Sequence, residues 1–139
     1  MKATRILETC LYVNDLDAAE RFYRDVMGLD FYAKQEGRHV FFRCGTTMFL
    51  LFDPEGTSDP TQPLGGHGCR GPGHAAFEIG DDEVNAWRDY LTSCGVPIDS
   101  EIDWPSGGHS LYFRDPAGNI LEVATRSTWD WPEKERCSE

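Results

Sequence analysis

Residues 73–80, GHAAFEIG, alternate as a strand does, with Ala75, Phe77 and Ile79 on one face and His74, Ala76 and Glu78 on the other. The next stretch, DDEVNAWRDYLTSCG, sets Val84, Trp87, Leu91 and Cys94 at helical spacing and stops at Gly95. VPIDSEI, HSLYFRD and NILEVAT then read as three strands. The same β-α-β-β-β order occurs once before. RILETCLYV (5–13) is a strand, and NDLDAAERFYRDVMG (14–28) is a helix with Asp15 as N-cap, an apolar face of Ala19, Phe22 and Val26, and Gly28 at its end. LDFYAK, HVFFRCG and TMFLLF follow as strands. Superposing the halves puts Leu7-Glu8 on Gly73-His74, Asp15 on Asp81 and Phe42-Arg43 on Phe113-Arg114, with the helix-ending glycines in register to within one residue. An internal repeat of this kind decides the fold.

The repeat predicts one α+β domain over residues 1–139. Module one spans about 5–54, a linker about 55–72, module two about 73–125 and a tail 126–139. The joining segment, DPEGTSDPTQPLGGHGCRGPG, is rich in Gly and Pro and holds His67, Cys69 and Arg70, which are expected to be plain linker residues rather than part of a lid. In the tail, Trp129 and Trp131 are expected to cover a pocket mouth, a subunit boundary or a helix, and the chain from Glu133 is expected to fray.

Composition narrows the partners. With 24 acidic against 13 basic residues the formal charge is −11, which disfavours nucleic acid and anionic lipid and leaves small molecules or proteins. No apolar run reaches the length of a membrane span, and MKATRILETCLYV lacks the apolar core of a secretory signal, so a cytoplasmic protein is expected. The five cysteines are odd in number and never spaced CxxC; reduced thiols are expected.

Each strand has one apolar face suited to packing on a helix. The opposite faces are mixed: Ile6, Glu8, Cys10 and Tyr12 in the first strand, His74, Ala76 and Glu78 in the fifth, Ile120, Glu122 and Ala124 in the last. That composition fits a concave pocket with a few polar groups. Glu8 and His74 hold the same place in the two repeats, and Glu122 sits in the last strand of its module, opposite Leu50 in the first.

The stretches LYVNDLDAAERFYRDVMGL, GHAAFEI and LYFRDPAGNILEV resemble the vicinal oxygen chelate superfamily of glyoxalases, fosfomycin-resistance thiol transferases, extradiol dioxygenases, epimerases and bleomycin-binding proteins. The resemblance covers about residues 5–125. In Asp115-Pro116-Ala117-Gly118-Asn119 the proline pre-sets the turn and Gly118 permits positive φ before the last strand. The resemblance implies two βαβββ modules forming a cupped, barrel-like mixed sheet with helices outside, around one divalent metal. Carried over by position, the ligands are Glu8, His74 and Glu122. Two departures stand out: Glu8 replaces the more usual His or Gln, and Leu50 occupies the place of a fourth ligand in glyoxalases.

One imidazole and two carboxylates suit manganese, magnesium, iron, nickel or zinc, and open positions leave room for two adjacent substrate oxygens. The expected activity is that of a metal-dependent lyase, isomerase or transferase of glyoxalase type, with Glu8 or Glu122 moving a proton beside a carbonyl. The resemblance makes Glu122 the permanent ligand and Glu8 the exchangeable one. Two other readings stay open: a metal-free, drug-sequestering binding protein, and an iron(II) ring-cleaving dioxygenase. Tyr12, Leu50, Phe41 or Phe42, Tyr112 and Arg114 are expected to line the pocket, with Arg114 the candidate for an anionic substrate. His39 and His109 are expected to be turn residues. The resemblance further implies a homodimer.

Overall fold

The computed structural model describes residues 1–61, 63 and 65–129. The described chain divides into two compact units, the first comprising residues up to 73 with the turn 115–119, the second residues 74–114 and 120–129.

In the first unit, β1 (Glu8–Tyr12), α1 (Leu16–Asp25), β2 (Asp30–Gln35), β3 (His39–Cys44) and β4 (Thr47–Phe52) follow the expected order. They form a four-stranded sheet ordered β1-β4-β3-β2, with β1 parallel to β4 and the other pairs antiparallel. Asp15 caps α1 by accepting a hydrogen bond from the Ala18 amide at 2.9 Å. Gly28 follows the helix at φ 64°, a conformation that costs other residues more than glycine. The buried stripe of α1 differs from the expected one. Leu16, Ala19 and Tyr23 are buried, with Met27 beyond, whereas Phe22 and Val26 are only half-buried. Tyr23 can occupy the centre because its polar tip is satisfied there: its hydroxyl donates to Asp115 at 2.9 Å while the ring packs on Phe42 and Phe49. The sheet face beneath it is Val40, Phe42, Phe49 and Leu51, all buried.

The connector is not featureless. Asp53 caps a single helical turn, α2 (Pro54–Thr57), and further on the His67 amide donates to the Thr57 carbonyl at 3.0 Å.

The second unit repeats the plan with β5 (His74–Ile79), α3 (Val84–Ser93), β6 (Ile98–Asp103), β7 (His109–Arg114) and β8 (Ile120–Thr125), ordered β5-β8-β7-β6. Again the first and last strands of the unit run parallel. Here α3 starts at Val84, and the Glu83 carboxylate accepts from the Gly80 amide at 2.7 Å instead of Asp81 capping the helix. Leu91 is fully buried, but Cys94 falls past the last helical residue and is exposed. The apolar stripe of α3 is therefore shorter than expected.

The repeat extends to irregularities. Tyr32 is the extra residue of a bulge in β2, between Phe31 and Ala33, and Asp99 is its counterpart in β6, between Ile98 and Ser100. A three-residue 3-10 turn, Arg126–Thr128, follows β8, and Trp129 beyond it is exposed. Trp131 and the stretch from Glu133 lie outside the described residues. Among the described residues no helix is long and apolar enough to cross a membrane.

Candidate metal and substrate site

On the second sheet, Glu122 of β8 stands opposite Ala76 of β5 on one side and Tyr112 of β7 on the other. His74 lies two residues before Ala76, so on one sheet face it is the diagonal neighbour of Glu122. The side chains meet, with His74 Nε2 3.3 Å from Glu122 Oε2. His74 Nδ1 lies 3.0 Å from the Ile120 carbonyl oxygen, which can only accept, so the ring proton belongs on Nδ1. Nε2 of the neutral ring then presents its lone pair to a carboxylate oxygen. Two acceptors this close repel each other unless a cation, a proton or a metal ion, is shared between them. Glu122 is buried, with a side chain 8% exposed, which makes an uncompensated charge there costly.

Tyr112 completes this cluster. Its ring stacks near His74 with centroids 6.3 Å apart, and burial, reinforced by the Glu122 carboxylate that its hydroxyl bonds, raises its pKa. A bound His whose other ring nitrogen donates to a carbonyl, beside a carboxylate that is itself hydrogen-bonded, is the arrangement expected around a metal. The separation of 3.3 Å also lets both donors touch one ion at the usual bond lengths of about 2.0–2.2 Å. The donor chemistry of His74 and Glu122 therefore fits a divalent ion.

The first sheet carries a related but different surface. Its counterpart of the His74–Glu122 diagonal is Glu8 and Leu50: Glu8 pairs with Met48, and Cys10 with Leu50. A cavity of about 760 Å³ lies on this face, bordered among others by Glu8, Phe41, Leu50, Phe52 and His67. The register resolves the two phenylalanines, since Phe41 borders the cavity and Phe42 is buried on the helix side. Among the described residues, no group of three or more His, Cys, Asp or Glu side chains in this chain is close enough together to hold one ion.

Tyr12 belongs to the same sheet face and donates or accepts a 2.8 Å hydrogen bond with His67 Nδ1. Burial, together with Cys10, raises the Tyr12 pKa. His67 also packs edge-on against Phe52, so this connector residue is seated on the sheet, a role its place in a Gly-rich stretch did not signal. Cys69 and Arg70 border a smaller hollow of about 260 Å³ with Tyr12 and Asn14. On the second sheet Arg114 is held by Asp99 at 2.9 Å. His39 and His109 each open a strand, and neither is a bare turn residue. His39 Nδ1 accepts from Arg38 at 2.8 Å and the ring stacks on Phe41 at 4.0 Å, with burial and the Arg38 charge lowering its pKa. His109 sits between Asp103 at 2.7 Å and Glu101 at 3.2 Å.

Comparison with known proteins gives a consistent picture. The model of the Glyoxalase/Bleomycin resistance protein/Dioxygenase superfamily matches residues 5–123. A crystal structure of lactoylglutathione lyase from Agrobacterium tumefaciens is 44% identical, with a TM-score of 0.90, covering 94% of this chain and 100% of that one. Probable lactoylglutathione lyases from Vibrio cholerae and Vibrio parahaemolyticus are 29% and 27% identical over 129 residues, covering 88% of this chain and 91% of each relative.

Proposed function

Because the chain belongs to the glyoxalase/bleomycin resistance protein/dioxygenase superfamily, we propose that it is a divalent-metal-dependent lyase of glyoxalase type. Its substrate is a small molecule offering two adjacent oxygens, and lactoylglutathione is the first candidate. The observation that carries this reading is the facing pair of His74 Nε2 and Glu122 Oε2, 3.3 Å apart. The names of the three relatives support the substrate candidate.

In this reading His74 and Glu122 hold the ion, and Glu8 of a second copy in a homodimer supplies the third protein donor. When bound, the ion supplies Lewis acidity toward substrate oxygens. The remaining work falls to the chain itself. The Ile120 carbonyl fixes the His74 ring, and the Tyr112 hydroxyl orients the Glu122 carboxylate. A lyase that splits lactoylglutathione without water returns a thiol and a three-carbon ketoaldehyde, so a proton must move between neighbouring oxygen-bearing carbons. Glu8, exposed on its strand and bordering the cavity, is the base assigned to that transfer, and Glu122 is the permanent ligand.

The test is metal analysis of chelator-stripped protein after reconstitution with manganese, nickel, zinc, magnesium or iron(II), with lactoylglutathione turnover followed in parallel. One equivalent of metal per chain, lost in His74→Ala and Glu122→Gln, is expected. No stoichiometric uptake of any of these ions overturns the reading and leaves a binding protein without metal chemistry.

A further inference from the structure

The geometry points to a carboxylate-bearing, flat apolar molecule as the ligand of the cavity on the first sheet, with Arg43 receiving the carboxylate. This inference does not rest on the preceding reading, since a flat aromatic acid is a different ligand from lactoylglutathione and the cavity on the first sheet is taken by itself.

Charge bookkeeping within the chain is the starting point. Acidic residues outnumber basic ones 24 to 13, and six of the eleven lysines and arginines among the described residues form an ion pair with a carboxylate. Lys34 meets Asp17, Glu20 and Glu36; Arg24 meets Glu20, Arg70 meets Glu55, Arg88 meets Glu101, Arg114 meets Asp99 and Arg126 meets Glu78. Arg38 and Arg43 both border the cavity, and among the described residues neither makes an ion pair. Each is instead held by a ring. Arg43 lies 4.6 Å from the centroid of Tyr32, and Arg38 lies 5.8 Å from that of Phe52 while donating to His39.

The internal repeat provides the control. Arg43 corresponds to Arg114, and the bulge residue Tyr32 corresponds to Asp99. In the second unit the bulge residue neutralises its arginine at 2.9 Å. In the first, the same backbone position holds a tyrosine, whose ring orients the guanidinium without cancelling its charge. Arg43 thus stays available as a planar fork, a shape matched by a carboxylate.

The rest of the wall specifies the body of the ligand. Phe41, Leu50 and Phe52 present apolar and aromatic surface, and His67, anchored by Tyr12, adds another ring. A volume of about 760 Å³ is in the range of small-molecule pockets. Apolar walls with the unpaired Arg43 guanidinium at one end select for an aromatic acid over its neutral isostere.

The test uses 2-naphthoate and its neutral analogue 2-naphthamide, titrated calorimetrically into chelator-treated full-length protein at low salt. The acid is expected to bind about tenfold tighter than the amide. Arg43→Gln should remove most of that preference by weakening binding of the acid far more than that of the amide. Arg43→Lys, which keeps charge but not the fork, should fall between, and Arg21→Gln on α1 should change nothing. Circular dichroism of each variant separates lost recognition from lost fold. Equal binding of acid and amide, no binding of either, or full preference in Arg43→Gln overturns the inference. Since no metal is present, the outcomes are separable. An acid preference in a protein that takes up no metal sinks the lyase reading alone, and metal uptake without an acid preference sinks this one alone.

Discussion

His74 illustrates how one residue acquires a role from its neighbours. A strand histidine is ordinarily a bland residue, and its meaning here comes from the Ile120 carbonyl on one ring nitrogen and Glu122 on the other. Glu122→Gln is therefore informative, because the amide keeps the size and can still bond Tyr112 but loses the charge. Metal affinity, measured by competition with a chromogenic chelator, should fall by more than about tenfold. The metal-free protein should unfold within about 1 kcal/mol of the parent, since volume is conserved. An unchanged affinity would remove Glu122 from the ligand set. Sequence made the candidates Glu8, His74 and Glu122 visible because strand alternation and the repeat put metal-capable groups on the mixed faces. It did not make Arg43 visible, because nothing in a sequence says which arginines lack a carboxylate. One trace was present: with Phe42-Arg43 aligned on Phe113-Arg114, the residue opposite Asp99 is Tyr32, and that exchange is where the two halves differ in charge.

At the scale of elements, the turn before β8 shows why the order of strands was legible while the packing was not. Pro116 and Gly118 announce a turn, and Gly118 does adopt φ 87°. What they do not announce is that Asp115 and Asn119 are buried in a closed polar network. Asp115 accepts from the Tyr23 hydroxyl, the Ala117 and Asn119 amides and the Asn119 side chain, all at 2.9–3.0 Å. Asn119 donates to the Tyr12 carbonyl and accepts from the Gly73 amide. Burial, then Asp115, raises the Tyr23 pKa beyond any working pH, so the hydroxyl stays a donor. Asp115→Ala, which strands these donors, should cost about 3 kcal/mol, and Tyr23→Phe about 1–2 kcal/mol, by urea denaturation. A loss no larger than that of a surface substitution would show that the network carries no stability.

A second element, the α3–β6–β7 cross-link, sets a pH dependence. Glu101 is gripped by Arg88 at 2.7 and 2.8 Å and approached by His109, and the Arg88 hydrogen bonds, with help from His109, hold its pKa down at about 2, below its ordinary 4.5. A carboxylate with a depressed folded-state pKa contributes stability above pH 4.5, and that contribution is lost as the pH falls toward 2. Both side chains are about one-third exposed, so solvent screening limits the contribution to less than about 1 kcal/mol. The stability difference between the parent and Glu101→Gln should be present at pH 5 to 7 and vanish as the pH approaches 2. A difference that persists at pH 2 would mean that Glu101 acts through packing.

For the molecule as a whole, the proposed site makes an arithmetic prediction about assembly. If Glu8 of one copy serves His74 and Glu122 of another, two individually dead variants can repair each other. Glu8→Ala and His74→Ala each remove one donor, and each homodimer then lacks a complete site. Unfolding and refolding an equal mixture gives about half heterodimers, in which one of two sites carries all three donors, so about a quarter of parental lyase activity and metal content should return. The doubly substituted chain, Glu8→Ala with His74→Ala, should restore nothing when mixed with either single variant, because every site then lacks a donor. A ligand set contained within one chain predicts no recovery in any mixture. Sedimentation of the same samples separates that case from failure to associate: a dimeric mixture without recovered metal excludes sharing, whereas a monomeric parent that still binds one metal per chain excludes the dimer.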